Sequence, residues 1–174
     1  MSWFVVDVES DGPAPGLYSL VSFGAVKVDD TLATLFLGQV APTSDDWMPD
    51  ALAISGISRQ DHLRYPQPKE TMEAFAAWLK KHSKGRPVFV SDNLAFDWQF
   101  INYYFHKFTG ENPFGFSGRR IGDLYSGLVK DIFASSAWKS LRRTPHTHNP
   151  VDDAKGNAEA LVAFSRQHGL RLPA

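Results

Sequence analysis

Two carboxylates spaced two residues apart follow the first apolar run of the chain. The run from Trp3 to Val6 predicts a buried strand, and Asp7 and Glu9 come directly after it. Side chains alternate between the two faces of a strand, so residues two apart share one face. Like charges on one face of a core strand repel each other, and a hard divalent cation is a common means of neutralising them. Solvated acids at a strand end are the alternative interpretation, and the pair alone does not separate the two.

A third carboxylate, Asp97, lies where a short apolar run gives way to a helical pattern. The run Pro87–Ser91 predicts a central strand, and the regular apolar spacing from Phe96 to Phe108 predicts a helix. Asp97 therefore belongs to a first helical turn close to the end of a strand. An acid at that position also interacts favourably with the helix dipole, which leaves a purely structural role open.

A histidine and a fourth carboxylate flank the start of the last predicted helix. Pro150 suits a first helical turn, with His148 just before it and Asp153 about one turn into it. A histidine on the approach and an acid on the helix can converge on one site. His146 and Asp152 are the nearest rivals for these two positions.

The hydrophobic pattern predicts an α/β fold with a mixed central sheet flanked by helices. Short connections between the first three strands favour an antiparallel three-stranded meander. Asp123 is expected to cap one helix, and residues 134–147 are polar and irregular. The predicted strands cover residues 2–8, 18–28, 34–40 and 87–91, and the predicted helices cover residues 49–57, 71–79, 96–108, 123–133 and 152–168.

Composition narrows the class of protein. A length of 174 residues, with 43% hydrophobic and 21% charged, predicts one globular domain over residues 1–174. The absence of cysteine excludes disulfides, thiolate catalysis and cysteine-based zinc sites. No apolar run approaches membrane-helix length and no signal-peptide pattern is visible, so we expect a cytoplasmic protein without a membrane partner. The formal net charge of -1 gives no strong overall attraction to nucleic acid.

In order and spacing, these residues resemble the motifs of the DnaQ-like 3′→5′ exonucleases of the DEDDh type, the superfamily that includes ribonuclease T and oligoribonuclease. Residues Asp7–Gly12 are similar to the first motif, Asp-x-Glu-Thr-Thr-Gly, and Asn93–Phe100 to the second, Asn-x-x-Phe-Asp-x-x-Phe. Residues His148–Asp153 resemble the third, a histidine five residues before an aspartate, and Ile54–Ser58 resembles a short His-Gly-Ile-Thr segment. The resemblance extends from near residue 3 to near residue 165.

Two positions depart from the pattern. Asp92 stands where the family usually has histidine, which adds negative charge near the site. Pro150 stands where the third motif usually has alanine, which stiffens the backbone just after His148.

The resemblance implies a ribonuclease H-like fold and a metal-dependent 3′→5′ exonuclease that releases nucleoside 5′-monophosphates. Asp7, Glu9, Asp97 and Asp153 would hold two divalent cations, Mg²⁺ or Mn²⁺, and His148 would be the general base. Asp11 is interpreted as a turn residue and not as a ligand.

Candidate substrate contacts divide into three kinds. Ser10 and Asn93 are candidates because they belong to the first and second motifs. Leu17 and Tyr18 are candidates to line the terminal base. Phe96 either stacks on a base or packs in the core through Phe100. Arg142 and Arg143 are candidate phosphate contacts because they lie on the segment leading to His148.

The expected partner is single-stranded nucleic acid or a 3′ overhang. RNA is favoured because the small members that the chain resembles mostly process or degrade RNA. Dimerisation is common among small relatives, but the sequence has no clear interface stripe. A 3′→5′ DNA exonuclease, an endonuclease of the broader ribonuclease H-like group, and a catalytically silent nucleic-acid-binding domain remain as alternatives.

Overall fold

Five strands form one mixed sheet in the computed structural model, which describes residues 1–172. The strands are β1 (Ser2–Ser10), β2 (Leu20–Lys27), β3 (Leu35–Gln39), β4 (Pro87–Ser91) and β5 (Gly118–Arg120), and their order in the sheet is β3-β2-β1-β4-β5. β1 pairs antiparallel with β2, and β2 with β3, whereas β4 runs parallel to both β1 and β5. The predicted meander and mixed sheet are therefore confirmed. β5 was not predicted, because three residues with two arginines show no alternating pattern.

In the described part of the chain, six helices and two short 3₁₀ segments connect and cover the strands. The helices are α1 (Pro49–Ile54), α2 (Arg59–His62), α3 (Pro68–His82), α4 (Leu94–Thr109), α5 (Ile121–Val129) and α6 (Pro150–Gln167), and the 3₁₀ segments are Ile132–Ala134 and Ala137–Leu141. Within residues 1–172, no helix is both long enough and apolar enough to span a membrane.

The start of α5 corrects the expectation that Asp123 caps this helix. α5 begins two residues earlier, at Ile121, and Asp123 instead accepts a hydrogen bond at 2.8 Å from Nη1 of Arg120. The helix also ends at Val129 rather than at Phe133, because Lys130 adopts the left-handed conformation with φ 57°. α6 does have a side-chain cap, since Oδ1 of Asn149 accepts the N–H groups of Val151 and Asp152.

The alternation of side chains along β1 divides the interior into two apolar layers. Phe4, Val6 and Val8 pack in the cluster that contains the buried side chains of α3 and α4. Val5 points the other way, into the cluster formed with α6. Because residues two apart share a face, Asp7 and Glu9 continue the row of Val5 on the α6 side of the sheet.

Gly24 allows α6 to lie against the sheet at this row. It is the partner of Asp7 in the pairing of β1 with β2. A Cβ atom at Gly24 would collide with the backbone carbonyl of Pro150, the first residue of α6. The absence of a side chain therefore lets the first turn of α6, which carries Asp153, approach Asp7 closely.

We expect Gly24→Ala to lower the free energy of unfolding by roughly 1–3 kcal/mol, because the added methyl group meets backbone atoms that cannot rotate away. Urea unfolding measures the change. Gly127→Ala is the matched control, since a Cβ at that exposed α5 position meets no other atom within 4 Å, and alanine favours helix by up to about 1 kcal/mol. Equal destabilisation by both substitutions would show that the close approach is unimportant.

Candidate active site

Four carboxylates from three elements converge at the end of β1. Asp7 and Glu9 come from β1 and Asp153 from α6, and one oxygen of each lies within 4.8 Å of the others. Asp97 joins them from the first turn of α4, because β4 runs parallel beside β1 and delivers α4 to the same edge of the sheet. Glu9, Asp97 and Asp153 are buried, and Asp7 is partly exposed.

The crowding of these carboxylates opposes their ionisation. Burial raises the pKa of Asp7 well above its ordinary value, and the charges of Asp97, Asp153 and Glu9 raise it further. Burial likewise raises the pKa of Glu9 to about 7. It raises that of Asp97 to about 8, with a further contribution from the charge of Asp92. The set offers several hard oxygen atoms and no thiol, and a divalent cation would relieve the repulsion, so the residues present fit Mg²⁺ or Mn²⁺.

Asp153 also organises the loop that enters α6. Its Oδ1 accepts the N–H of Thr147 at 2.9 Å, and its Oδ2 accepts the N–H of His148 at 3.0 Å. Nδ1 of His146 lies 2.8 Å from the same Oδ2 atom. Asp152 belongs to neither of the two candidate metal clusters among the described residues. The structure thus brings Asp153 into the site and leaves its rival outside.

His148 lies at the edge of the carboxylate cluster. Its Nδ1 atom is 3.5 Å from Oε1 of Glu9, and 45% of its side chain is exposed. The backbone of His148 has φ 60°, a left-handed conformation that is uncommon for residues other than glycine. The two backbone hydrogen bonds to Asp153, from Thr147 and His148, hold this backbone conformation.

A cleft of about 480 Å³ opens over these residues. Asp7, Glu9 and Asp97 line its polar side together with His146 and His148, and Asp153 lies behind them. Met48, Ala51 and Ile54, from α1 and the residue before it, give it an apolar wall, and Phe96 also contributes. No motif in the sequence contains Met48 or Ala51, so neither was predicted to belong to the site. The nearest motif along the chain is the short one that begins at Ile54.

Sequence similarity to known exonucleases extends over most of the chain. Residues 4–161 match the exonuclease family of the ribonuclease T type. An Escherichia coli protein described as 3′-5′ DNA exonuclease Cap18 is 35% identical over 167 residues, which cover 88% of this chain and 86% of that protein. The chain belongs to the DnaQ-like 3′→5′ exonuclease family. Members of this family generally use divalent metal ions, in keeping with the acidic cluster.

Solved structures give the same fold. The nuclease domain of 3′hExo, a DEDDh family member bound to rAMP, superposes with a TM-score of 0.75 at 16% identity, covering 99% of this chain and 96% of that one. E. coli Exonuclease I in complex with a dT13 oligonucleotide gives a TM-score of 0.71 at 13% identity, and covers 96% of this chain but 41% of the other. The ribonuclease H-like fold expected from the sequence is therefore confirmed.

The candidate substrate contacts of this exonuclease are only partly in the cleft. Ser10, Asn93 and Phe96 line it, and Phe96 also packs on Phe100 with ring centroids 5.2 Å apart. The packing of Phe96 is therefore observed, and its stacking on a base stays a prediction. Leu17 and Tyr18 are not among the residues lining the cleft. Tyr18 instead covers Gly12, where any side chain would collide with the tyrosine ring, and the Leu17 side chain is 66% exposed.

The candidate phosphate contacts Arg142 and Arg143 are not among the residues lining the cleft, and each is paired with a carboxylate. The Arg142 guanidinium lies over the Trp138 ring at 5.0 Å and donates to Oδ2 of Asp92 at 3.3 Å. Arg143 donates its backbone N–H to Glu159 at 3.0 Å, and its side chain is 80% exposed. Neither pairing could be read from the sequence, because the partners are 50 and 16 residues away.

Asp92, which replaces the usual histidine, ties the end of β4 to the segment that leads to the active-site histidines. Nζ of Lys139 lies 2.7 Å from its Oδ2 atom, and Arg142 contacts the same oxygen. Asp92 itself lines the cleft. The extra negative charge is thus paired with two basic side chains, and these contacts anchor the 3₁₀ segment Ala137–Leu141.

Asp11 is a buried structural residue, as expected for a residue of this motif that is not a ligand. It accepts hydrogen bonds from the backbone N–H of Ser19 and, at 2.9 Å, from Nη1 of Arg59. Arg59 also stacks over the ring of Trp47, next to the apolar wall of the cleft. The loop after Glu9 and the wall of the cleft are therefore fixed to each other.

Removing a carboxylate should alter how stability depends on pH. The pKa values of Glu9 and Asp97 in the folded protein, about 7 and about 8, lie above their ordinary values of 4.5 and 3.8. Between about pH 4 and pH 8, the metal-free folded protein therefore binds more protons than the unfolded chain. Its stability falls as the pH rises through this range. Mg²⁺ should restore stability most at the upper end, where the ligands are ionised.

Asp7→Asn should flatten this pH dependence and reduce the stabilisation by Mg²⁺, since it removes one repelling charge and one ligand. Thermal melts at several pH values, with Mg²⁺ or with a chelator, measure both effects. Glu73→Gln, on the exposed face of α3, serves as control. Equal Mg²⁺ stabilisation of wild type and Asp7→Asn would contradict the assignment of Asp7.

Asp92→Asn should loosen the segment from residue 137 to residue 148. Two ion pairs to a partly buried carboxylate contribute about 1 kcal/mol, so amide exchange in this segment should accelerate about fivefold. Hydrogen-exchange mass spectrometry compares the variant with Glu73→Gln, which breaks a 3.8 Å surface pair on α3. Unchanged exchange in Asp92→Asn would mean that the segment is held without these ion pairs.

Proposed function

We propose that this 3′→5′ exonuclease hydrolyses single-stranded nucleic acid from its 3′ end with two divalent cations, Mg²⁺ or Mn²⁺, and releases nucleoside 5′-monophosphates. The observation that carries the proposal is the convergence of Asp7, Glu9, Asp97 and Asp153 beside His148 at one end of an open cleft. Family membership supports the direction of digestion.

The four carboxylates would hold the cations, which when bound would stabilise charge on the attacking and leaving oxygens. His148 would accept the proton of the attacking water. Glu9 lies beside Nδ1 of His148 and favours a proton on that nitrogen, so that Nε2 is free to accept. The hydrogen bonds from the backbone of Thr147 and His148 to Asp153 keep the base and a metal ligand in fixed register.

The apolar wall is the natural place for the terminal base. Met48 and Ile54 are 42% and 54% exposed and both line the cleft, so a base placed there would cover apolar surface. Packing against the face of a base tolerates any sequence, because every base has such a face; stacking on the aromatic ring of Phe96 would contribute about 1–3 kcal/mol. Ser10 and Asn93 would add polar contacts next to this wall.

Two observations bear on whether the substrate is RNA or DNA, and they favour different answers. Sequence analysis favours RNA, because of the small relatives that the chain resembles. The E. coli relative is described as a DNA exonuclease, and this supports DNA as the second candidate substrate. Digestion of RNA and DNA strands of matched sequence, each single-stranded, duplex or with a 3′ overhang, gives the relative rates with Mg²⁺ and Mn²⁺.

Asp153→Asn and His148→Asn should each reduce the rate of mononucleotide release about 10²–10⁴-fold. Gel analysis of 5′-labelled single strands measures the rate and shows the step size. Asp152→Asn and His106→Asn are matched controls, since neither residue belongs to a candidate metal cluster among the described residues, and they should retain wild-type rates.

Three outcomes would overturn the proposal in different ways. Wild-type rates in Asp153→Asn and His148→Asn would reject these residues. Internal cuts without single-nucleotide steps would indicate an endonuclease. Binding of single strands without cleavage under any divalent ion would indicate a catalytically silent domain.

A further inference from the structure

His146 is a second histidine at the active site that the proposed reaction does not use. Its Nδ1 atom lies 2.8 Å from Oδ2 of Asp153, and its ring centroid is 4.4 Å from that of His148. One ligand-type atom from each of His146, His148 and Asp153 lies within 4.8 Å of the other two. These three residues therefore form a separate group that shares only Asp153 with the cluster of Asp7 and Glu9.

The donor atoms of this group differ in kind from those of the carboxylate cluster. Two imidazoles and one carboxylate suit Zn²⁺, Cu²⁺ or Ni²⁺, whereas an all-oxygen set suits Mg²⁺ and Mn²⁺. Three protein ligands with one open position are a common arrangement for Zn²⁺. The chain has no cysteine that would compete for such an ion.

The surroundings suit a metal site that exchanges with solvent. The side chains of His146 and His148 are 49% and 45% exposed, so an ion can reach them and the rings can adjust. Asp153, in contrast, is buried and held by the N–H groups of Thr147 and His148. Outer contacts of this kind orient a ligand and increase metal affinity.

We propose that His146, His148 and Asp153 form a second metal site, specific for Zn²⁺ and similar transition ions, and that its occupation stops cleavage. A Zn²⁺ ion there would occupy the lone pair with which His148 would accept a proton, and would draw Asp153 away from the Mg²⁺ ligands. The inhibition rests on the proposed function, whereas the binding of Zn²⁺ does not.

Binding is tested by equilibrium dialysis of the full chain against Zn²⁺ in a large excess of Mg²⁺, with elemental analysis. Wild type should retain one Zn²⁺ per chain. His146→Asn should lose affinity by roughly tenfold or more, a loss seen even when outer contacts of a site are removed. His106→Asn, on an exposed position of α4, is the matched control and should bind as wild type does. His148→Asn is a second variant that should also lose Zn²⁺, and far-UV circular dichroism verifies that each variant is folded.

Inhibition is tested by titrating Zn²⁺ into the exonuclease assay, with each variant compared with its own rate in Mg²⁺ alone. The midpoint should match the dissociation constant from dialysis, and should rise in His146→Asn by the factor that binding loses. Equal Zn²⁺ affinity of wild type and His146→Asn, or displacement of Zn²⁺ by Mg²⁺ in competition, would overturn the site. Absence of activity in Mg²⁺ alone would reject the proposed function, while the dialysis result would still decide the zinc site.

Discussion

Repulsion between four carboxylates held at one end of the sheet is the constraint on which the rest of the structure depends. Asp7 and Glu9 share a strand face, and Asp97 and Asp153 approach them from two helices. The raised pKa values show that this arrangement is unfavourable for the metal-free folded chain. The fold must therefore supply enough stability elsewhere to keep the acids together, and two fully buried apolar layers on either side of β1 do so.

The acids stay together because each element that carries one is fixed by a contact that allows little movement. Gly24 lets the start of α6 lie on the sheet. Asp11 and Arg59 connect the loop after Glu9 to the wall of the cleft. Asp92 connects the end of β4 to the segment that carries the histidines. The charge of Asp92 still raises the pKa of Asp97, but its ion pairs with Lys139 and Arg142 limit this addition to the repulsion.

Features with a local physical cause could be predicted from the sequence, and features that depend on distant pairing could not. The shared face of Asp7 and Glu9 follows from the period of a strand. The choice of Asp153 over Asp152 has no such cause, since it rests on the five-residue offset to His148 that the family resemblance implies. The partners of Arg142 and Arg143 depend on how remote segments pack, so their sequence neighbours gave no signal. Met48 and Ala51 line the cleft because α1 packs against β1. The composition of α1 does not predict this packing.

In the proposed reaction, the acidic cluster and the wall of the cleft would contact different parts of the substrate. In the proposed reaction the carboxylates would act on a phosphodiester, which RNA and DNA share, so they would contribute nothing to the choice of sugar. That choice depends on a contact to the 2′-hydroxyl. Ser10 lines the cleft and already donates its hydroxyl proton to the carbonyl of Gly12 at 2.7 Å. Its oxygen can therefore only accept a further hydrogen bond, which a ribose 2′-hydroxyl can donate and a deoxyribose cannot, so any selection for RNA at this position is through an acceptor next to Glu9.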